Sequence, residues 1–256
     1  MFVDTHTHLY SEEFSGDIDE ALKKAIDAGV DKFFLPNIDS SSVSGMHLLC
    51  EKYPQHCFPM MGLHPCSVKE NYKDELALAY DYLKSKKYVA VGEIGIDLYW
   101  DKTFYTQQIE AFEIQINWAL EFELPIVIHC RNSFDEIFEV LTRFPKLPKG
   151  IFHCFSGNAE QAQKVIDVTG FKLGIGGVLT FKNSGLDKAI EHIDVKHLVL
   201  ETDSPYLAPV PYRGKRNESA YIPLIAAKLA EVKKCSLLEI ASVTTANAKE
   251  IFAWDK

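Results

Sequence analysis

Short apolar stretches of β type alternate with amphipathic stretches along the whole chain. The apolar runs are Phe2–His6, Lys32–Pro36, Cys57–Gly62, Tyr88–Glu93, Pro125–His129, Gly150–His153, Phe171–Ile175 and His197–Glu201. Between them, apolar residues recur at helical spacing. Ala21, Leu22, Ala25 and Ala28 predict a first helix, ended by Gly29. Ile109, Phe112, Ile116, Ala119 and Leu120 predict a long helix within 103–122. Ile137, Val140 and Leu141 predict another, capped by Asn132 or Ser133. Strands alternating with helices imply a parallel sheet. Eight such units predict a closed (β/α)8 TIM barrel, one domain spanning residues 1–256. An open doubly wound sheet is the alternative, but no Gly-x-Gly-x-x-Gly follows the first run, so the dinucleotide signature is missing.

Unusual polar residues fall where these runs end. His6 and His8 close the first run, Glu93 the fourth, His129 the fifth, His153 the sixth, and Asp203 follows the eighth. In a barrel, these ends meet at the C-terminal mouth, where chemistry is placed. An isolated His-x-His is only a hypothesis; potential ligands at five strand ends give it a context. Four imidazoles and two carboxylates suffice for two divalent cations, with Glu93 as the bridge. Asp203 is expected to bind metal and to accept the proton of an attacking water. Nitrogen and oxygen donors together permit zinc, manganese or magnesium. If the first strand runs on, Asp4 shares a face with His6 and His8 and orients a ring from behind. By the same alternation, Cys130 and Cys154 point away from the ligands they follow and read as core thiols. Glu201 shares a face with Asp203, as a support for a ligand or as part of a buried ion pair. His64, in Gly62-Leu63-His64-Pro65, either contacts substrate or packs its loop. His47, His56, His192 and His197 read as structural or solvent-exposed.

Composition narrows the partners. The chain has 27 basic and 36 acidic residues, a net charge of -9. That disfavours broad electrostatic binding to duplex nucleic acid but permits a local basic rim. A loop rich in proline and glycine follows the eighth run and carries Tyr206, then Tyr212-Arg213-Gly214-Lys215-Arg216. Arg213, Lys215 and Arg216 are expected to hold phosphates, with Tyr206 or Tyr212 stacking on a base. Lys182 and Arg131 offer further cations. No run of about 18 apolar residues predicts a membrane span. No basic-then-apolar leader precedes the first strand, and the six cysteines include no Cys-x-x-Cys pair. Reduced thiols and a cytoplasmic protein are therefore expected, with no obligate protein partner in view.

Taken in order, the motifs resemble those of the TatD-type metal-dependent hydrolases of the amidohydrolase superfamily. They are Asp4-Thr5-His6-Thr7-His8, Gly62-Leu63-His64-Pro65, Gly92-Glu93-Ile94-Gly95-Ile96-Asp97, His129-Cys130-Arg131, His153-Cys154-Phe155-Ser156-Gly157, Glu201-Thr202-Asp203-Ser204-Pro205-Tyr206 and Arg213-Gly214-Lys215-Arg216-Asn217-Glu218. The resemblance implies a binuclear metal site with ligands His6, His8, Glu93, His129, His153 and Asp203. It also implies deoxyribonuclease activity, removing nucleotides from 3′ ends of single-stranded DNA, with magnesium or manganese. Two positions depart from the pattern: Asn132, where an acidic residue is common, and Ser219, where proline is common. The same chemistry would serve an amidohydrolase acting on a small amide or ester. A third reading is a binding protein whose metals only brace the fold.

Overall fold

The computed structural model describes residues 1–254. Its strands are β1 (Phe2–Asp4), β2 (Val30–Leu35), β3 (Cys57–Pro59), β4 (Val91–Asp97), β5 (Ile126–Arg131), β6 (Gly150–Phe152), β7 (Lys172–Ile175) and β8 (Leu198–Leu200). The helices are α1 (Ile18–Asp27), α2 (Val43–Lys52), α3 (Tyr72–Ser85), α4 (Tyr105–Glu121), α5 (Phe134–Leu141), α6 (Ala159–Thr169), α7 (Leu186–Ile190), α8 (Ile222–Lys233) and α9 (Leu237–Phe252). Every strand pairing is parallel, in the ladders β1-β2-β3 and β4-β5-β6-β7-β8. Two seams join the ladders. Met61 N–H donates to Ala90 at 3.1 Å and Gly92 N–H to Met61 at 3.0 Å, while Thr5 N–H reaches Leu200 at 3.0 Å and His8 N–H reaches Ser204 at 2.8 Å. The sheet thus closes into the (β/α)8 barrel that the alternation predicts, and each apolar run supplies one strand.

Alternation along the strands sorts the core into two layers. Val3, Phe34, Met60, Ala90, Val127, Ile151 and Val199 form one cluster with Ala248, Ile251 and Phe252 of α9. Phe34 stacks on Phe252 with ring centroids 4.1 Å apart. Helix α9 crosses the strand starts: Lys149 reaches the Glu250 carbonyl at 2.9 Å, and Asn247 reaches those of Val195 and Leu198 at 2.8 and 2.7 Å. It closes the end opposite the mouth. The alternate positions, such as Ile126 and Ile128 on β5, pack with the surrounding helices.

Two strands end elsewhere than expected. β1 stops at Asp4, before the histidines, and β4 continues past Glu93 to Asp97. The extension of β4 needs Gly95, whose φ is +145° and where an added Cβ would lie 2.0 Å from the His129 carbonyl oxygen. Ser133 takes the N-cap position of α5, but its hydroxyl donates to Ile96 at 2.6 Å instead of capping. All six cysteines are free thiols. Among the described residues, no helix is long and apolar enough to cross a membrane.

Gly95→Ala should destabilise the protein by about 3 kcal/mol or more, since a strained backbone and a carbonyl clash act together. Denaturant unfolding measures this. A midpoint equal to the wild type's would show that β4 and β5 are not pressed together there.

Candidate metal centre

Glu93 sits at the focus of the mouth, its side chain 3% exposed. Its Oε2 lies 3.1 Å from His6 Nε2 and 3.9 Å from His8 Nε2. Its Oε1 lies 2.7 Å from His129 Nδ1, 3.4 Å from His64 Nε2 and 3.7 Å from His153 Nε2. Asp203 Oδ1 faces the same rings, 3.9 Å from His6, 3.6 Å from His8 and 3.7 Å from His153. The structure therefore brings together all six residues singled out at the strand ends. Among the described residues, four sets of donor atoms each lie within 4.8 Å of one another: His6, His8 and Asp203; His6, Glu93 and His153; His64, Glu93 and His129; and His153, Cys154 and Glu201. His64, on the loop after β3, stands beside this cluster, its Nε2 3.2 Å from His129 Nδ1.

The electrostatics of this cluster fit a divalent cation. His6 is fully buried; its Nδ1 has no hydrogen-bond partner, and its Nε2 faces Glu93 at 3.1 Å without hydrogen-bond geometry. Unpartnered buried nitrogen is costly unless an ion takes its lone pair. Burial and the neighbouring His153 lower the His6 pKa, favouring the neutral ring that metals bind. Burial alone would raise Glu93, but His64, His6 and His153 hold it well below the usual carboxylate range. His129 and His153 go the other way. Burial disfavours their charge, yet Asp97 and Glu93 lift His129 to about 9. Glu201, Glu93 and Asp203 lift His153 to about 10. Around this ionised carboxylate, His129 and His153 carry protons that a cation would displace.

Further residues hold the rings in place. Asp97 accepts from His129 Nε2 at 2.8 Å, leaving Nδ1 toward Glu93. Sequence reasoning missed Asp97 because it ended the strand at Glu93; the signal was period-two spacing in Glu93, Gly95 and Asp97. Glu201 Oε1 lies 3.0 Å from His153 Nδ1, and its carboxylate also accepts from the Cys154 amide. His8 Nδ1 lies 2.9 Å from the Tyr10 hydroxyl.

Asp4 corrects the expectation that it orients a ring. Its carboxylate accepts from Thr202 N and Oγ1 at 2.9 and 2.6 Å, and from Ser219 Oγ at 2.7 Å. Because β1 ends there, Asp4 ties the first strand to the segment after β8, and burial lifts its carboxyl to about 7. Ser219, a departure from the family pattern, is one of its donors. Cys154 also corrects an expectation. β6 has ended, and a φ of +44° keeps the thiol within 4.8 Å of donor atoms of His153 and Glu201. Cys130 packs against the core as expected.

The rim is less uniform than its charges suggest. Arg216 is a correction. Its guanidinium donates to both Asp17 oxygens at 2.7 and 2.6 Å, to Glu218 at 2.9 Å and to the Glu13 carbonyl at 2.7 Å. It also covers Phe14, so its donors are spent inside the fold. Tyr212 is stacked on Tyr221, ring centroids 4.3 Å apart. Lys182, Arg213 and Lys215 are exposed on the loops after β7 and β8, with Arg213 over the Phe181 ring. Tyr206 is 51% exposed, its ring 6.2 Å from that of His8. Arg131 is exposed at the end of β5. His47 and His56 bond to Tyr88 and Asp31, as the structural reading of them expects. A cleft of about 410 Å³, lined in part by Asn132, Phe155 and Gln161, opens beside His153.

A closed parallel barrel with histidines and carboxylates gathered at its mouth defines a metal-dependent hydrolase. Residues 3–253 match the family described as TatD related DNase, and the chain belongs to that family. It is 36% identical over 254 residues to the Bacillus subtilis metal-dependent hydrolase YabD, covering 98% of this chain and 99% of that one. It is 30% identical over 258 residues to the Pectobacterium parmentieri 3′-5′ ssDNA/RNA exonuclease TatD, covering 97% and 98%. The crystal structure of the Escherichia coli TatD homologue YjjV superposes with a TM-score of 0.92 at 30% identity, covering 98% of both chains.

Divalent cation at a hundred times its dissociation constant should stabilise the fold by about 2.7 kcal/mol, read as a rise in Tm over chelator-treated protein. Asp97→Asn and Glu201→Gln should each weaken metal affinity by roughly 10–100-fold in competition with a chelating dye. Unchanged affinity in both variants would separate these carboxylates from metal binding.

Proposed function

We propose that this hydrolase cleaves phosphodiester bonds of single-stranded DNA from the 3′ end, using two divalent ions, magnesium, manganese or zinc, held by His6, His8, Glu93, His129, His153 and Asp203. The observation that carries the reading is the exposed set Lys182, Arg213 and Lys215 at the mouth that holds Glu93, on a chain whose net charge is -9. Acidic bodies repel polyanions, so cations gathered at the reaction end favour an anionic substrate. Relatives along the whole length are named 3′-5′ ssDNA/RNA exonucleases, which supports the same substrate class.

Bound in this cluster, divalent cations would polarise a phosphoryl oxygen and acidify water. The chain supplies the rest. Glu93, sealed at 3% exposure, fixes the spacing of the imidazoles. Asp203 is more accessible, at 15%. Burial would raise its carboxyl, but His153, His8 and His6 keep it below the usual range, so it stands ionised and able to accept a proton. Its amide donates to the His6 carbonyl at 2.9 Å, and its φ of +56° aims the side chain back at the rings. Arg213 and Lys215 orient phosphates by charge-assisted hydrogen bonds, and Arg131 and Tyr206 border the path of the strand.

On a 3′-labelled oligonucleotide with metal supplied, Asp203→Asn should lower kcat by about 10²–10⁴. Arg213→Ala and Lys215→Ala should raise KM and reduce the salt slope of binding by about 0.7 each. Turnover of a small amide or ester, with single-stranded DNA left intact, would instead favour the amidohydrolase reading.

A further inference from the structure

Two aromatic side chains at the mouth serve neither the core nor the cluster. Tyr99 and Trp100 follow β4 after Leu98 and are 51% and 68% exposed. Their rings meet edge to face, with centroids 4.8 Å apart at 88°. The Arg131 guanidinium, from the end of β5, lies 4.0 Å from the Tyr99 centroid and 5.2 Å from that of Trp100. Exposed aromatics that occur singly need no explanation, but an adjacent pair under a cation is a concentrated apolar and π surface.

This surface is held rather than loose. Asp97 Oδ1 accepts from the Tyr99 and Trp100 amides at 2.9 and 3.1 Å, while its Oδ2 accepts from His129 at 2.8 Å. Leu98 N–H donates to the Arg131 carbonyl at 2.9 Å, which joins the two loops. Asp101 closes the far side, accepting from Thr103 N–H at 2.9 Å and pairing with Lys69 at 2.9 Å. A single carboxylate therefore sets both the orientation of a ring beside Glu93 and the position of two exposed aromatics. Their place is fixed relative to the reaction centre.

From this placement we infer that Tyr99, Trp100 and Arg131 form a stacking platform for an unpaired nucleobase of the substrate strand. The inference rests on the phosphodiester reading above and adds what that reading leaves open, how the enzyme grips a single strand. Every base offers a π face, so stacking is tolerant of sequence, and it is denied to bases paired inside a duplex. Arg131 adds a cation over the rings that also suits the neighbouring phosphate. The platform thus selects for unpaired strands without reading their sequence.

The test uses metal-loaded enzyme and two oligonucleotides with the same phosphates, one carrying bases and one abasic near its 3′ end. Wild type should show a KM for the abasic strand roughly 10-fold above that for the base-bearing strand, the scale of one lost stacking contact. Trp100→Ala should bring that ratio to about one, and Trp100→Phe should restore most of it. Trp100 lies on the surface, so both variants are expected to fold, and circular dichroism checks this. Equal KM for both strands in wild type would overturn the platform while leaving the nuclease reading standing. Hydrolysis of neither strand would overturn both.

Discussion

The structure depends on one buried carboxylate. Glu93 has five imidazoles within 4 Å: His6, His8, His64, His129 and His153. Withdrawing an unpaired carboxylate from water costs several kcal/mol, and aligned positive charge must offset it. These rings come from strand ends and loops spread over about three fifths of the sequence, so only a closed barrel collects them. Fold and site are therefore coupled. α9 seals the apolar end, the strands deliver imidazoles and carboxylates to the other, and Asp4 locks β1 to the segment after β8.

Four of the seven non-glycine residues with positive φ among the described residues lie at this same end. Asn132, Cys154, Asp203 and Leu207 all have positive φ, and all follow strands β5, β6 or β8. Such conformations are uncommon for residues with side chains and persist only where the surroundings hold them. Here they turn the chain sharply at the strand ends, which aims Asp203 at the imidazoles and brings the Cys154 thiol toward Glu201. The departure Asn132 suits this role, since asparagine tolerates the left-handed region better than most residues. It also lines the cleft beside His153.

Much of this was legible in the sequence. Apolar runs of strand length announced all eight strands, and the polar residues that ended them announced the cluster. That worked because a parallel strand buried on both faces is nearly all apolar, so a charged or imidazole residue at its end stands out. What failed was whatever depended on where a strand stops or on what meets it from afar. Alternation alone puts Asp4 with the histidines, but β1 does not sustain it beyond Asp4. Asp97 escapes notice because the apolar run ends at Glu93 while β4 runs on to Asp97. Arg216 looked like a phosphate ligand because nothing local shows that Asp17, 199 positions away, claims its guanidinium. Tyr99 and Trp100 carried no periodic signal, and their significance lies in sharing Asp97 with His129.

The central claim is that this carboxylate and its imidazoles are built to hold metal. Elemental analysis of protein dialysed after loading with manganese or zinc tests it most directly, comparing wild type with Glu93→Gln. Two equivalents of metal per chain in the wild type, with a clear loss in the variant, is the predicted result. Wild-type protein that retains no metal, or a Glu93→Gln variant that retains as much, would contradict it.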